Sequence, residues 1–352
     1  MKDLIEKSIG LLKDLIKTPS FSKEEDITAE IIDTYIKSFG VETYRELNNV
    51  WAFNKYYDPL KPTILLNSHH DTVRPNIDYT RNPFLAEIID GKLYGLGSND
   101  AGGCLVSLIS TFLYYYNQPN LKYNLVIAAT AEEEILGLHG LEFVVPKLGA
   151  LDFAIVGEPT QMHLAVAEKG LMVLECTASG KSGHAARNEG ENAIYNAIED
   201  ILWFKTFEFP KQSEMFGPIK MSVTMINAGT QHNVVPSSCD FVVDVRITDA
   251  YTNEEVLDII KAHTKCEIKP RSTRLRPSFI SLDHPIVKAG MNLGRTTYGS
   301  PTTSDQAVLK IPSLKLGPGN SARSHTADEF VYVNEIEEGV ELYIKILDQL
   351  VL

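Results

Sequence analysis

Three short runs constrain the fold most: TILLN (63–67), YNLVIAAT (123–130) and LDFAIVG (151–157). Side chains alternate across a strand, so a run apolar at both odd and even positions is buried on both faces. Between the first two lies GGCLVSLISTFLYYY (102–116), a long apolar helix whose leading glycines allow close packing. Strands alternating with helices predict a three-layer α/β domain. The start, MKDLIEKSIGLLKDLIK, carries charges at helical spacing and reads as an amphipathic helix, not a signal peptide. A second helix is expected from Ser22, with Glu25 placed for a capping box, to Gly40.

After about residue 164 the rhythm changes. GLMVLECTAS (170–179) is a strand, NAIYNAIEDILWFKTF (192–207) a helix, and KMSVTMINA (220–228) and CDFVVDVRIT (239–248) two strands. TNEEVLDIIKAHTK (252–265) is a helix and CEIKP (266–270) a short strand. The order β-α-β-β-α-β is that of a ferredoxin-like domain. From about 282 the chain returns to helix, strand SLKLGP and a closing helix. The expected plan is one α/β domain from 1–164 and 281–352, with a smaller domain inserted at 165–280.

A chain of 352 residues exceeds what one core usually covers, in keeping with two domains. A net charge of −13 disfavours nucleic acid and anionic membranes as partners. No apolar run reaches transmembrane length. Cys104, Cys176, Cys239 and Cys266 lie far apart without CxxC spacing, which fits a reduced, cytoplasmic compartment.

The buried runs end in chemistry-bearing residues. TILLN leads into SHHDTV; if the extended geometry persists, His69 and Asp71 share a face and His70 points away. Four further stretches are GLGSNDAGG (Asp100), TAEEEILG (Glu132, Glu133, Glu134), IVGEPT (Glu158) and SARSHTADE (His325). Each has an ordinary reading: a helix N-cap for Asp100, a solvated helix start for the Glu run, a surface turn for Glu158, a capping or core histidine for His325. Together they are harder to dismiss, because open α/β sheets place ligand sites at the carboxyl ends of their strands. Two histidines and three carboxylates can hold two zinc ions if one carboxylate bridges, and a fourth carboxylate remains to act as a base. Paired metals suit hydrolysis.

With these motifs in order, the sequence resembles the co-catalytic zinc amidohydrolases, which include acetylornithine deacetylase, succinyl-diaminopimelate desuccinylase, aminoacylase and glutamate carboxypeptidase. The resemblance covers essentially the whole chain, inserted domain included. It implies His69 and Glu158 at a first zinc, Glu134 and His325 at a second, and Asp100 bridging them. It makes Asp71 the partner that orients His69, and Glu133 the general base. His70 and Glu132 receive no direct role. Two zinc ions per chain are implied, with cobalt or manganese as substitutes. SGKSGHAARNEGENAIYNAI (179–198) resembles the element whose histidine, here His184, reaches a neighbouring subunit's active site and donates to the developing oxyanion. That implies a homodimer formed through the inserted lid domain. The family often has a proline after this histidine, and ARNEGE has none.

For the substrate, the stretch 298–331 resembles acetylornithine deacetylases most, which implies an N-acetyl- or N-succinyl-ornithine deacylase of arginine biosynthesis. The alternatives are a succinyl-diaminopimelate desuccinylase, an aminoacylase or a dipeptidase; a non-enzymatic binding protein is the rival from another class. Asn233 and Arg246 are candidate substrate binders, Arg246 either forking onto a substrate carboxylate or bracing its sheet. Asp305 either faces a cationic side chain or caps the helix after TTS. Arg323 is the candidate for the carboxylate of a succinyl group.

Overall fold

A computed structural model describes residues 1–352. The chain divides into two compact units. The larger comprises Met1–Ala167, Phe279–Tyr298 and Ser304–Leu352; the smaller comprises Glu168–Ser278 and Gly299–Thr303.

The larger unit is built on a mixed sheet. Its strands run in the order Tyr44–Glu46, Asn49–Phe53, Asn124–Thr130, Thr63–His69, Phe153–Val156, Ser313–Lys315 and Leu164–Glu168. Thr63–His69 is parallel to both its neighbours, and Ser313–Lys315 is parallel to Phe153–Val156. Within the strands of the three apolar runs the buried side chains divide by parity. Ile64, Leu66, Leu125, Ile127, Phe153 and Ile155 enter one core, with helices Lys2–Ile16, Gly103–Tyr116 and Val333–Val351. Leu65, Val126, Ala128, Ala154 and Val156 enter a second core on the other face, closed by the short helix Leu141–Val144 and the turn after it. This is the α/β class expected, with one thick and one thin helical layer. Gly102 is needed where the long helix begins, since a Cβ there would lie 2.5 Å from the carbonyl oxygen of Gly97.

The chain leaves Thr63–His69 for Asn124–Thr130 on one side, then crosses to Phe153–Val156 on the other. A sheet reverses its winding at such a point, and the crevice beyond the strand ends is where open α/β sheets bind ligands. His69, the acidic run after Thr130 and Glu158 all emerge there.

The second helix differs from expectation. It spans Asp26–Lys37, and neither Ser22 nor Glu25 caps it through a side chain. Ser22 instead donates its hydroxyl to Asp71 Oδ2 at 2.7 Å. Glu25 is buried and accepts from the N–H of Lys23, Nδ2 of Asn48 and the N–H of Glu132 at 2.6, 2.7 and 3.3 Å.

The smaller unit has a four-stranded antiparallel sheet in the order Lys220–Ala228, Ser238–Ile247, Gly170–Ser179, Glu267–Pro270. Helices Ala193–Thr206 and Asn253–His263 complete the β-α-β-β-α-β order. Met172, Leu174, Phe204, Phe241, Val256 and Ile260 are among its buried core. The helix 253–263 starts on a full capping box between Thr252 and Glu255.

Candidate metal centre

His69 is the last residue of its strand and is 1% exposed. Its Nδ1 lies 3.0 Å from the main-chain oxygen of Asp71 and 3.4 Å from Asp71 Oδ1. That contact makes Nδ1 a donor and leaves Nε2 to face the carboxylates. Nε2 is buried without a hydrogen-bond partner, and so is Glu158 Oε1. Around Nε2 stand Asp100 Oδ1 at 3.4 Å, Glu133 Oε2 at 3.8 Å and Glu158 Oε1 at 3.8 Å. Asp100 turns its other oxygen, Oδ2, to within 3.6 Å of His325 Nε2, which is 2.9 Å from Glu134 Oε2. One carboxylate therefore faces two separate histidines. His69, Asp100 and Glu134 offer donor atoms within 4.8 Å of one another, as do His69, Glu133 and Glu158.

Local structure aims each side chain. Asp71 Oδ1 accepts from the N–H of Glu133 at 3.0 Å, and Oδ2 from the N–H of Glu134 at 3.1 Å. The first acid of the run, Glu132, has a left-handed backbone (φ 57°) and turns back into its own loop. There it meets His139 Nδ1 at 3.2 Å, so that Glu133 and Glu134 point into the site. Asp100 is held from behind. Glu329, 2% exposed, accepts from the N–H of Gly97, Asn99 and Asp100 at 3.1, 2.8 and 2.9 Å. His70 points away, bonded to Thr28 Oγ1 and the carbonyl of Asn48, and burial pushes its ring down to about 4.

The electrostatics describe a pocket with too much negative charge. Burial, then the nearby Asp100, pushes the Glu158 carboxyl up to about 8. Burial also raises Glu133 and Glu134. Burial works against a charged His69, yet Glu133 and Asp100 outweigh it and hold the ring well above its ordinary value. The hydrogen bond to Glu134 lifts His325 to about 9. Orphaned buried donor atoms among crowded carboxylates fit divalent cations well.

The other sequence candidates fall in three groups. His184 and Asn233 lie side by side in the smaller unit, where Gly183–His184 pairs with Val234–Val235 and the Asn233 carbonyl accepts from the N–H of Ala185. His184 is exposed, and its Nδ1 accepts from the N–H of Ala186 at 3.1 Å, which leaves Nε2 as the N–H donor. Arg246 takes the bracing role, forked onto Asp244 at 2.8 and 3.1 Å. Arg323 and Asp305 each have partners within the protein. Arg323 is forked onto Glu335 at 2.6 and 3.0 Å and lies over the rings of Phe330 and Tyr332, so its guanidinium is already engaged. Asp305 is neither a cap nor an open anion: Ser304 caps the turn, while Asp305 is buried and accepts from Thr130 Oγ1 at 2.9 Å. Burial raises it to about 6.

Sequence reasoning missed Ser22 and Glu329. The only signal for Glu329 was an acid placed directly before the apolar FVY strand at the end of the last motif.

The profile of peptidase family M20/M25/M40 matches residues 65–349. The chain belongs to this family. Among curated relatives, the succinyl-diaminopimelate desuccinylase 2 of Ruegeria sp. is 26% identical over 96% of this chain and 94% of its own. The succinyl-diaminopimelate desuccinylase of Hahella chejuensis is 25% identical over 99% and 98%. Among solved structures, aminopeptidase PepT from Bacillus cereus superposes with a TM-score of 0.79 at 19% identity, covering 98% of both chains. The YXEP protein of Bacillus subtilis, described as a dinuclear metal binding peptidase of this family, gives 0.74 at 16% identity, again over 98% of both. This M20 member therefore has the fold of the metallopeptidases and is an enzyme of a hydrolase family.

Proposed function

We propose that the protein hydrolyses the amide bond of a small N-acyl amino acid, with N-succinyl-diaminopimelate as the first candidate substrate. The observation that carries the chemistry is the pair of orphaned buried atoms, His69 Nε2 and Glu158 Oε1, beside an Asp100 that also faces His325. His69, Asp100 and Glu158 would hold one divalent cation, and Asp100, Glu134 and His325 a second, zinc being the first choice. When bound, such a pair makes water more acidic and polarises a carbonyl. Glu133 is the proton carrier: it takes a proton from the attacking water and gives it to the departing amine nitrogen. Asp71 fixes the donor tautomer of His69 and the backbone of Glu133 together.

The substrate reading departs from acetylornithine. The relatives named above are desuccinylases matched over nearly their full length, and this supports the succinyl alternative. The assignment to arginine biosynthesis falls with the ornithine substrate. A homodimer through the smaller unit is part of the proposal. Lys220–Ala228 is an edge strand exposing Met225 and Ile226, and helix Ala193–Thr206 exposes Tyr195, Ile198 and Leu202 at helical spacing. Such a patch suits a second copy of this chain. The test is a kcat/KM panel of metal-loaded protein on N-succinyl-diaminopimelate, N-succinyl-ornithine, N-acetyl-ornithine and di- and tripeptides. The succinyl-diaminopimelate substrate should lead by at least about tenfold, the discrimination that ~1.4 kcal/mol supplies. A peptide in the lead would overturn the substrate; no turnover of any compound by metal-loaded protein would overturn the reaction.

A further inference from the structure

Asp100 can face two histidines only if its backbone is fixed, and the turn that carries it is irregular. Asp100 and Ala101 depart from helical geometry within Ser98–Gly102. Three successive contacts pin this turn, and all end on one carboxylate. Glu329 Oε2 takes the N–H of Gly97, and Oε1 takes the N–H of Asn99 and of Asp100 itself. The main chain repeats the tie, since the N–H of Gly95 donates to the carbonyl of Glu329 at 3.0 Å. Strand Phe330–Tyr332 then pairs with Lys92–Tyr94. Glu329 also lies four residues after His325, so one short segment carries the histidine and the acid that sets its counterpart.

A neutral acceptor, such as a main-chain carbonyl or an amide, could close a turn without the cost of burying an anion. A carboxyl group has two oxygens, so one side chain can take all three N–H groups, which the single oxygen of an amide cannot do in this arrangement. As a carboxylate it binds N–H groups more strongly than a neutral acceptor does. We infer that Glu329 is a positioning residue: it fixes the Asp100 backbone so that both carboxylate oxygens serve the metal pair. This rests on the two-cation reading above.

The experiment is metal titration of chelator-stripped protein, using Co²⁺ read by its d–d absorption and Zn²⁺ by calorimetry. Glu329→Gln keeps the shape, but its NH2 would face one of the three N–H donors. Metal binding should weaken by about 10–100-fold, the usual cost of losing a partner that supports a ligand. The Co²⁺ spectrum should shift, and metal affinity should fall by more than any change in the urea midpoint of the stripped protein accounts for. Asp100→Ala is the reference and should lose both metals. Wild-type affinity and spectrum in Glu329→Gln, with metal lost in Asp100→Ala, would overturn this role and leave the metal centre standing. Wild-type binding in Asp100→Ala would overturn the metal centre itself. A lower urea midpoint with unchanged metal affinity would make Glu329 a mere fold residue. If Glu329→Gln does not accumulate folded, Glu329→Asp keeps the charge but is too short to span three N–H groups. The same weakening is expected of it, and wild-type binding would again refute the role.

Discussion

Asp71 does more than orient one imidazole. Its two oxygens take the N–H groups of Glu133 and Glu134 and the hydroxyl of Ser22, so one carboxylate sets a histidine and two neighbouring acids. Asp71→Asn would put an NH2 against one of those N–H donors. We expect kcat to fall about 10–100-fold at saturating metal with KM little changed. Steady-state kinetics decide it; unchanged kcat would reduce Asp71 to a bystander. The site's charges also make a pH prediction for metal-free protein. Glu158 is an acid raised from 4.5 to about 8, so between those values the folded state binds the extra proton and stability falls as pH rises. His325, a base raised from 6.5 to about 9, contributes stability that is full below 6.5 and lost on rising through 9. Both act in the same direction. With chelator present, the melting temperature should drop from pH 6 to pH 9, and added Zn²⁺ should recover most at the alkaline end. A metal-free midpoint that climbs over this window contradicts the charge arrangement.

At the scale of elements, the turn after strand Asn124–Thr130 shows how backbone shape becomes chemistry. A Cβ on Gly140 would sit 2.1 Å from the carbonyl oxygen of Ala131, just before the acidic run. Gly140→Ala must therefore displace main chain next to Glu132, and Glu133 and Glu134 with it. Metal affinity and kcat should both fall. Gly10 is the contrast: it lies in helix Lys2–Ile16 with open space where a Cβ would go, so Gly10→Ala should stabilise by about 0.5–1 kcal/mol and leave kinetics alone. Denaturant melts and kinetics of the two variants check the pair; equal behaviour would refute the strain argument. The same elements show what a sequence reveals. The strands were legible because burial on both faces is a property of consecutive residues. Ser22 was misread because capping signatures are local, whereas its hydroxyl bonds a carboxylate 49 positions along. The role of Glu329 was hidden for the same reason, its donors lying about 230 positions earlier. Arg323 looked available because nothing in the order of residues announces that Glu335 will fold back onto it.

At the scale of the whole molecule, the open matter is whether a site is completed by another copy of the chain. The resemblance assigns His184 to a neighbour's site; its ring is exposed, and acceptance at Nδ1 leaves Nε2 as the N–H donor. The exposed Tyr195, Ile198, Leu202, Met225 and Ile226 would be the surface for the proposed pairing. If His184 donates to the oxyanion, His184→Ala should keep its metals and lose about 10²–10³ in kcat. Glu133→Gln should also keep its metals and lose about 10²–10⁴. Mixing the two inactive chains then separates the alternatives. In a two-fold dimer formed from both, one site would have Glu133 from its own chain and His184 from the partner, and the other site would lack both. Random exchange makes about half the dimers mixed, each with one working site of two, so roughly a quarter of wild-type activity should return. The measurement is activity of the unfractionated co-refolded mixture, with mixed dimers demonstrated by capture on two affinity tags. Recovery near that level requires a shared site. Demonstrated mixed dimers without recovery would mean that His184 serves its own chain or has no part in the reaction. A protein that stays monomeric at assay concentration while fully active would remove the dimer from the proposal altogether.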